Sequence, residues 1–298
     1  MTENNYSHIH PQFQSIADKP NEERIEFIDE PRWLGYPRAK EVHSLLLEML
    51  HKTKRPRMGN LLIVGDSNNG KTTIVRRFCE LHGKGYVNEN DEPVRPIILA
   101  ESPTTPDEKG LYSSILDCFF APYRVSTSPL GLRNQAVHLL RECNVRMLFI
   151  DEIHSCLTGS GTKQKEVMNG IKYLCNTVEI PIVGVGLRES INMLHHDSQY
   201  ASRFEVIGLP LWELDNSFQQ LVKSFESILP LRKPSNLHSP KLCMKLHAIS
   251  GGNIGDLHYL LTQSAKEAIN SGRECIDLEI LENLSWIQPS ISGIRERP

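Results

Sequence analysis

The sequence predicts an α/β chain, a parallel sheet between helices, followed by a small all-helical domain. Three observations carry this. Short apolar runs alternate with stretches of helical periodicity up to about residue 208. A glycine-rich turn joins the first of these runs to the helix after it. Beyond Leu209-Pro210-Leu211 the apolar positions follow helical spacing only. Strands buried on both faces read as continuous apolar runs, so the alternation points to a parallel sheet covered by helices on both sides.

Taken in order, residues 1–30 are polar and read as an irregular N-terminal arm. Val42, Leu45, Leu46 and Met49 recur at helical spacing and predict a helix over Arg38–Leu50. A basic, proline-interrupted link follows at Lys52, Lys54, Arg55, Pro56 and Arg57. Strands are then expected at Asn60–Val64, Arg95–Ala100, Val145–Ile150 and Pro181–Val185. Helices are expected at Thr72–Leu81, Leu111–Phe120, Gly131–Glu142 and Lys163–Val178. These elements place the α/β domain at residues 31–208, a helical lid at 209–285 and a short C-terminal tail at 286–298. In the lid, Ser239-Pro240 reads as a helix start, a hydroxyl cap followed by proline at the first helical position.

Composition excludes several classes. With 298 residues, 39% hydrophobic and 23% charged, the chain can bury an ordinary core. The balance of 33 Lys+Arg against 36 Asp+Glu, net −3, excludes a protein that coats nucleic acid by bulk charge, but leaves room for a local basic patch. The apolar runs Leu61–Val64 and Met147–Ile150 fall far short of the roughly 20 residues that cross a bilayer. The first residues lack the basic and apolar regions of a secretory signal. Seven cysteines, an odd number without a C-x-x-C pair, suggest reduced, packed thiols and a cytoplasmic setting. His195-His196-Asp197 has no third ligand spaced for a metal, and no Ser/His/Asp or Cys/His nucleophile set is apparent.

Gly65-Asp66-Ser67-Asn68-Asn69-Gly70-Lys71-Thr72 fits G-x-x-x-x-G-K-[ST], and Thr73 extends it. It follows a strand and opens a helix, the context in which this pattern cradles phosphates. Glycines let the backbone curl so that amides point at phosphate oxygens, and the helix N-terminus adds partial positive charge. Lys71 is expected to reach the β/γ-phosphates of ATP, and the Thr72 hydroxyl to ligand Mg²⁺.

Asp151 and Glu152 end the apolar run Met147–Ile150, 80 residues after Lys71. Ligands of an open α/β sheet bind just outside the carboxyl ends of its strands. Asp151 is expected to hold Mg²⁺ through its water shell, and Glu152 to polarise a water for attack on the γ-phosphate. Asp151-Glu152-Ile153-His154 also spells the D-E-x-H box of a helicase class, but that class needs two tandem nucleotide-binding domains and this chain has motifs for one.

Four segments together resemble the TniB/TnsC ATPases of transposons, which are AAA+ proteins with relatives in CRISPR-associated transposons. They are RPRMGNLLIVGDSNNGKTTIVRRF, MLFIDEIHSCLTGSGTKQKEVMNGIKYLCNTVEIPIVGVG, DSQYASRFEVIGLPLW and SGGNIGDLHYLL, and the resemblance runs from about Pro31 to Leu284. It implies that Arg203, in Ser-Arg-Phe, is an arginine finger inserted into a neighbouring subunit's nucleotide site. It further implies subunits that wind around duplex DNA as a ring or helical filament. They would then recruit or activate a partner transposase, with a target-selection or CRISPR-associated adaptor as a further partner.

Two departures from the family pattern stand out. Relatives usually carry a polar γ-phosphate sensor after Val-Gly, where this chain has Leu187, so the role is lost or has moved to Arg188. The stretch Gly252-Asn253-Ile254-Gly255-Asp256 lacks the arginine that many AAA+ lids place there. Both imply slow, regulatory hydrolysis. Other readings are a replication initiator or helicase-loader type of AAA+ protein, or a nucleotide-gated scaffold with negligible turnover. Backbone contacts to DNA are expected from the segment Tyr123–Thr127, through Arg124 and Thr127, with Lys109 and Arg133 flanking it. The link Lys52–Arg57 is a second basic candidate, and Tyr36 and Arg38 lie where relatives contact adenine.

Overall fold

The computed structural model describes residues 6–55, 58–103, 107–157, 161–195 and 202–284. The chain divides into two units, one formed by residues 37–66 and 71–209, the other by 1–36, 67–70 and 210–298.

The first unit is built on a five-stranded sheet. Its strands are β1 (Asn60–Gly65), β4 (Ile97–Glu101), β5 (Met147–Asp151), β6 (Ile182–Gly186) and β7 (Phe204–Leu209), in the order β4-β5-β6-β1-β7. All four pairings are parallel, with Ile63 opposite Val185 and Ile207, and Leu99 opposite Phe149. Every residue of β1, β5 and β6 is buried, the pattern of parallel strands covered on both faces. Leu62, Val64, Leu148 and Ile150 face one core with Leu111, Leu140 and Ile171. That core draws on α4 (Glu108–Cys118), α5 (Pro129–Glu142) and α6 (Gly161–Val178). The alternate residue Phe149 meets Phe78 of α3 (Lys71–His82) at 6.1 Å between rings. Helix α2 (Pro37–His51) completes the unit's main helices, with Val42 and Leu46 fully buried.

These elements match the sequence expectations within a few residues. Two are additions. A small antiparallel hairpin, β2 (Tyr86–Val87) with β3 (Pro93–Val94), follows α3, and β7 closes the sheet edge. A short turn of helix, α7 (Asn192–His195), precedes β7.

The second unit is helical. Its helices are α1 (Asn21–Asp29), α8 (Asn216–Glu226), α9 (Pro240–Ser250), α10 (Ile254–Asn270) and α11 (Leu278–Asn283). Phe218, Leu221, Leu246, Leu257 and Ala265 make its core, which also takes in Ile28. Residues 1–30 were expected as an irregular arm, and over the described residues 6–30 the structure corrects that. Pro11–Asp18 form a 3-10 helix, α1 follows, and the buried Arg24 anchors the segment. Arg24 Nη1 donates to Glu274 Oε1 at 2.9 Å, and its other nitrogens bond the Pro230 carbonyl. Arg232 also reaches Glu274. A second correction is local: α9 starts at Pro240 after Ser239, but the Ser239 hydroxyl makes no capping bond.

Candidate nucleotide site

The loop Gly65–Thr72 leaves the carboxyl end of β1 and enters α3. Its flanks, Gly65, Asp66, Lys71 and Thr72, belong to the sheet unit, and its middle, Ser67–Gly70, to the helical unit. Gly70 takes φ +77°, open to glycine at no steric cost, and Asn68 takes φ +58°, a region asparagine tolerates.

In the sheet unit Lys71 is buried, and its ammonium donates to the carbonyls of Gly65 (3.0 Å) and Asp66 (2.7 Å). Burial lowers its pKa below the ordinary 10.5, against the pull of Glu152, Asp151, Asp66 and Glu189. Thr72 Oγ1 donates to Asp151 Oδ2 at 2.9 Å, and the Glu152 amide donates to Asp151 Oδ1 at 2.9 Å. The two residues expected to share a magnesium ion therefore lie side by side, and both carboxylate oxygens of Asp151 are engaged. Thr73, next along α3, is exposed.

Glu152 sits at φ +53°, a left-handed conformation that costs a glutamate energy and tends to persist where a site over-determines it. Its Oε2 lies 3.1 Å from His154 Nδ1, at an angle that makes no hydrogen bond. Arg188, just past β6, grips Asp66 in a two-point contact, Nε to Oδ1 at 3.0 Å and Nη2 to Oδ2 at 2.9 Å. Sequence reasoning named Arg188 but missed this partner, because 122 residues separate the pair.

In the helical unit the loop's middle is held by α10. Asn253 Nδ2 donates to the Ser67 carbonyl and Asn68 Nδ2 to Asp256 Oδ1, each at 2.8 Å. Asn69 is buried, with Nδ2 3.2 Å from the Pro210 carbonyl. The sequence showed only that Gly252–Asp256 lacks an arginine. Nothing in it marked Asn253 and Asp256 as partners of the loop. Tyr36 packs edge-on against Trp212 at 5.2 Å.

The remaining candidates are dispersed over the sheet unit. Arg38 donates to the Gly208 carbonyl at the end of β7 and pairs with Glu41. Arg203, just before β7, donates from Nη1 to Asn176 Oδ1 at 2.8 Å. Lys109 donates to the Val125 carbonyl, Arg124 is exposed, and the Thr127 amide donates to the Arg124 carbonyl at 2.9 Å. Arg133 lays its guanidinium over the Tyr173 ring at 4.3 Å. Lys52 pairs with Glu48, whereas Pro56 and Arg57, like His196 and Asp197, lie outside the described residues. Burial pushes the Cys79 thiol up to about 12 and the Cys175 thiol up to about 11. Among the described residues no metal-holding cluster of His, Cys, Asp or Glu occurs, and no helix is long and apolar enough to cross a membrane.

Known structures share this architecture. The ORC2 protein of Aeropyrum pernix, solved as ADPNP–ADP complexes, matches with a TM-score of 0.62 at 14% identity, over 86% of this chain and 69% of that one. Cdc6p of Pyrobaculum aerophilum matches with a TM-score of 0.57 at 15% identity, over 84% and 67%. The ORC1 protein of Aeropyrum pernix, solved in complex with DNA, matches with a TM-score of 0.54 at 15% identity, over 87% and 67%. At such identities the likeness establishes the fold, that of the AAA+ ATPases, as the sequence predicted. No curated protein matches the chain. The family model for the bacterial TniB protein matches residues 24–214, well over half of the chain. The chain belongs to the TniB family, the transposition-associated AAA+ ATPases.

Proposed function

We propose that this protein is an ATP-dependent, DNA-binding regulator of transposition. Its ATP-bound subunits assemble on duplex DNA as a ring or helical filament and recruit or activate a partner transposase. Slow hydrolysis then takes the assembly apart. The observation that carries the reading is the contact of Thr72 with Asp151 beside the buried Lys71, in a chain of the TniB family.

A hydroxyl and a carboxylate are hard oxygen donors, the kind magnesium prefers, so Thr72 and Asp151 fit that ion and would hold it. When bound, Mg²⁺ supplies neutralisation of charge on the β- and γ-phosphate oxygens. Lys71 gives up its two loop carbonyls and takes phosphate oxygens in their place. Glu152 orients the attacking water and accepts its proton. Arg203, supplied by a neighbour and aimed by Asn176, stabilises the charge that develops on the γ-phosphate. Leu187 cannot donate to that phosphate, which favours slow turnover, and Arg188, oriented by its two-point contact with Asp66, is left to take the role.

DNA contacts fall to Lys109, Arg124, Thr127 and Arg133 through the phosphate backbone. Of these, Arg124 is the most available, whereas Arg133 is drawn toward Tyr173. The A. pernix ORC1 neighbour, solved with DNA, lends support through fold alone.

A mixing experiment tests the arrangement. Arg203→Ala and Lys71→Met subunits should each be inactive as ATPases, with DNA present. Mixed, they should recover part of the wild-type rate, because the Lys71→Met subunit lends Arg203 to its neighbour's intact site. Absence of any recovery would contradict a finger supplied in trans.

A further inference from the structure

The first turn of α10 is bonded to the middle of the phosphate loop, entirely within the helical unit. Asn253 Nδ2 donates to the Ser67 carbonyl at 2.8 Å. The Gly255 amide donates to the Asn68 carbonyl at 3.1 Å. Asn68 Nδ2 donates to Asp256 Oδ1 at 2.8 Å. Asn253 Oδ1 also caps α10, accepting from the amides of Gly255 and Asp256. Asp256 is fully buried and Asn253 is 5% exposed, so these bonds are shielded from water. The approach is so close that a Cβ on Gly255 would stand 2.3 Å from both the carbonyl and the side-chain oxygen of Asn68.

The bonds fix a direction. In a planar trans peptide the carbonyl and the following amide point opposite ways. Tying the Ser67 and Asn68 carbonyls to α10 therefore turns the amides of Asn68 and Asn69 to the other side of the loop. A loop that holds phosphate through its backbone needs its amides facing inward in this way.

We propose that Asn253, Gly255 and Asp256 are positioning residues for phosphate binding. They hold the loop's amides in the anion-accepting orientation before the nucleotide arrives. The turn Ile254-Gly255-Asp256 contributes no positive charge, so it acts on affinity through geometry alone. This rests on the reading that the loop binds the phosphates of a nucleotide.

The test compares ADP with AMP affinity in the full chain, since the second phosphate is the one the loop would grip. Gly255→Ala keeps a good helix former in α10, where Gly255 has no positive φ, but drives a methyl into Asn68. Asn253→Ser keeps a hydroxyl to cap α10 and loses the reach to Ser67. Each variant should lower the ADP-to-AMP affinity ratio about tenfold, the worth of one aligned hydrogen bond. General destabilisation would lower both affinities together and leave the ratio alone. Lys71→Met serves as the reference and should collapse the ratio by a separate route. A wild-type ratio in Lys71→Met would overturn the reading of the loop. A collapsed ratio there, with wild-type ratios in both α10 variants, would overturn the positioning role by itself.

Discussion

Lys71 is a buried ammonium whose hydrogen-bond partners among the described residues are two backbone carbonyls, with no carboxylate bonded to it there. Burial lowers its pKa, so the folded, nucleotide-free chain bears a cost that bound phosphates would relieve. Lys71→Met should therefore leave the nucleotide-free Tm unchanged or raised while abolishing the rise in Tm that ADP produces, as a thermal shift assay would read. Arg188 makes a second residue-scale case. With Leu187 unable to bond phosphate, its guanidinium is the polar group nearest in sequence, and Asp66 holds it at two points. Arg188→Ala should cut ATP turnover at least severalfold and leave ADP affinity nearly unchanged, measured by phosphate release and by titration. What the sequence revealed of the site follows from this contrast. The loop and the acidic pair were legible because contiguous residues carry their chemistry. The partners of Asp66, Ser67 and Asn68 were not, because folding brings them in from positions 188, 253 and 256.

Among the elements, the N-terminal segment departs most from expectation, and the reason is physical. Glu22, Glu23, Arg24 and Glu26 make the first turns of α1 look like a solvated face, yet Arg24 is its most buried residue. A buried ion pair is indistinguishable in sequence from two surface charges. Breaking one partner alone leaves an uncompensated charge, so Arg24→Ala should cost about 3–5 kcal/mol in denaturant unfolding. The same pair gives a pH signature. Burial alone would raise the Glu274 carboxyl, but bonds from Arg24 and Arg232 outweigh it and leave the group below its ordinary 4.5. A depressed carboxyl stabilises the fold above its unfolded value and loses that contribution as pH falls through the folded one. Wild-type stability should accordingly drop on acidification below about pH 4.5, and Glu274→Gln should flatten that dependence. Strand β7 escaped notice for a related reason. It is an edge strand whose Glu205 and Val206 are exposed, so no continuous apolar run announces it. The central strands β1, β5 and β6, buried throughout, were all anticipated.

For the molecule as a whole, a net charge of −3 limits how firmly one subunit can hold DNA. Many copies stacked by nucleotide would repeat the few basic contacts around Arg124 along the phosphate backbone. The central claim is thus a gate: nucleotide controls assembly, and assembly controls DNA binding. In the proposed scheme Glu152 is where the two directions of that gate separate, since its carboxylate would serve hydrolysis while the loop and Asp151 would serve binding. The most direct measurement follows assemblies on duplex DNA by sedimentation and negative-stain imaging after ATP and Mg²⁺ are added, for wild type and for Glu152→Gln. Both should assemble only with ATP; the wild-type assemblies should fall apart as ATP is consumed, and those of Glu152→Gln should persist. Assembly without nucleotide, or equal persistence of the two proteins, would contradict the account.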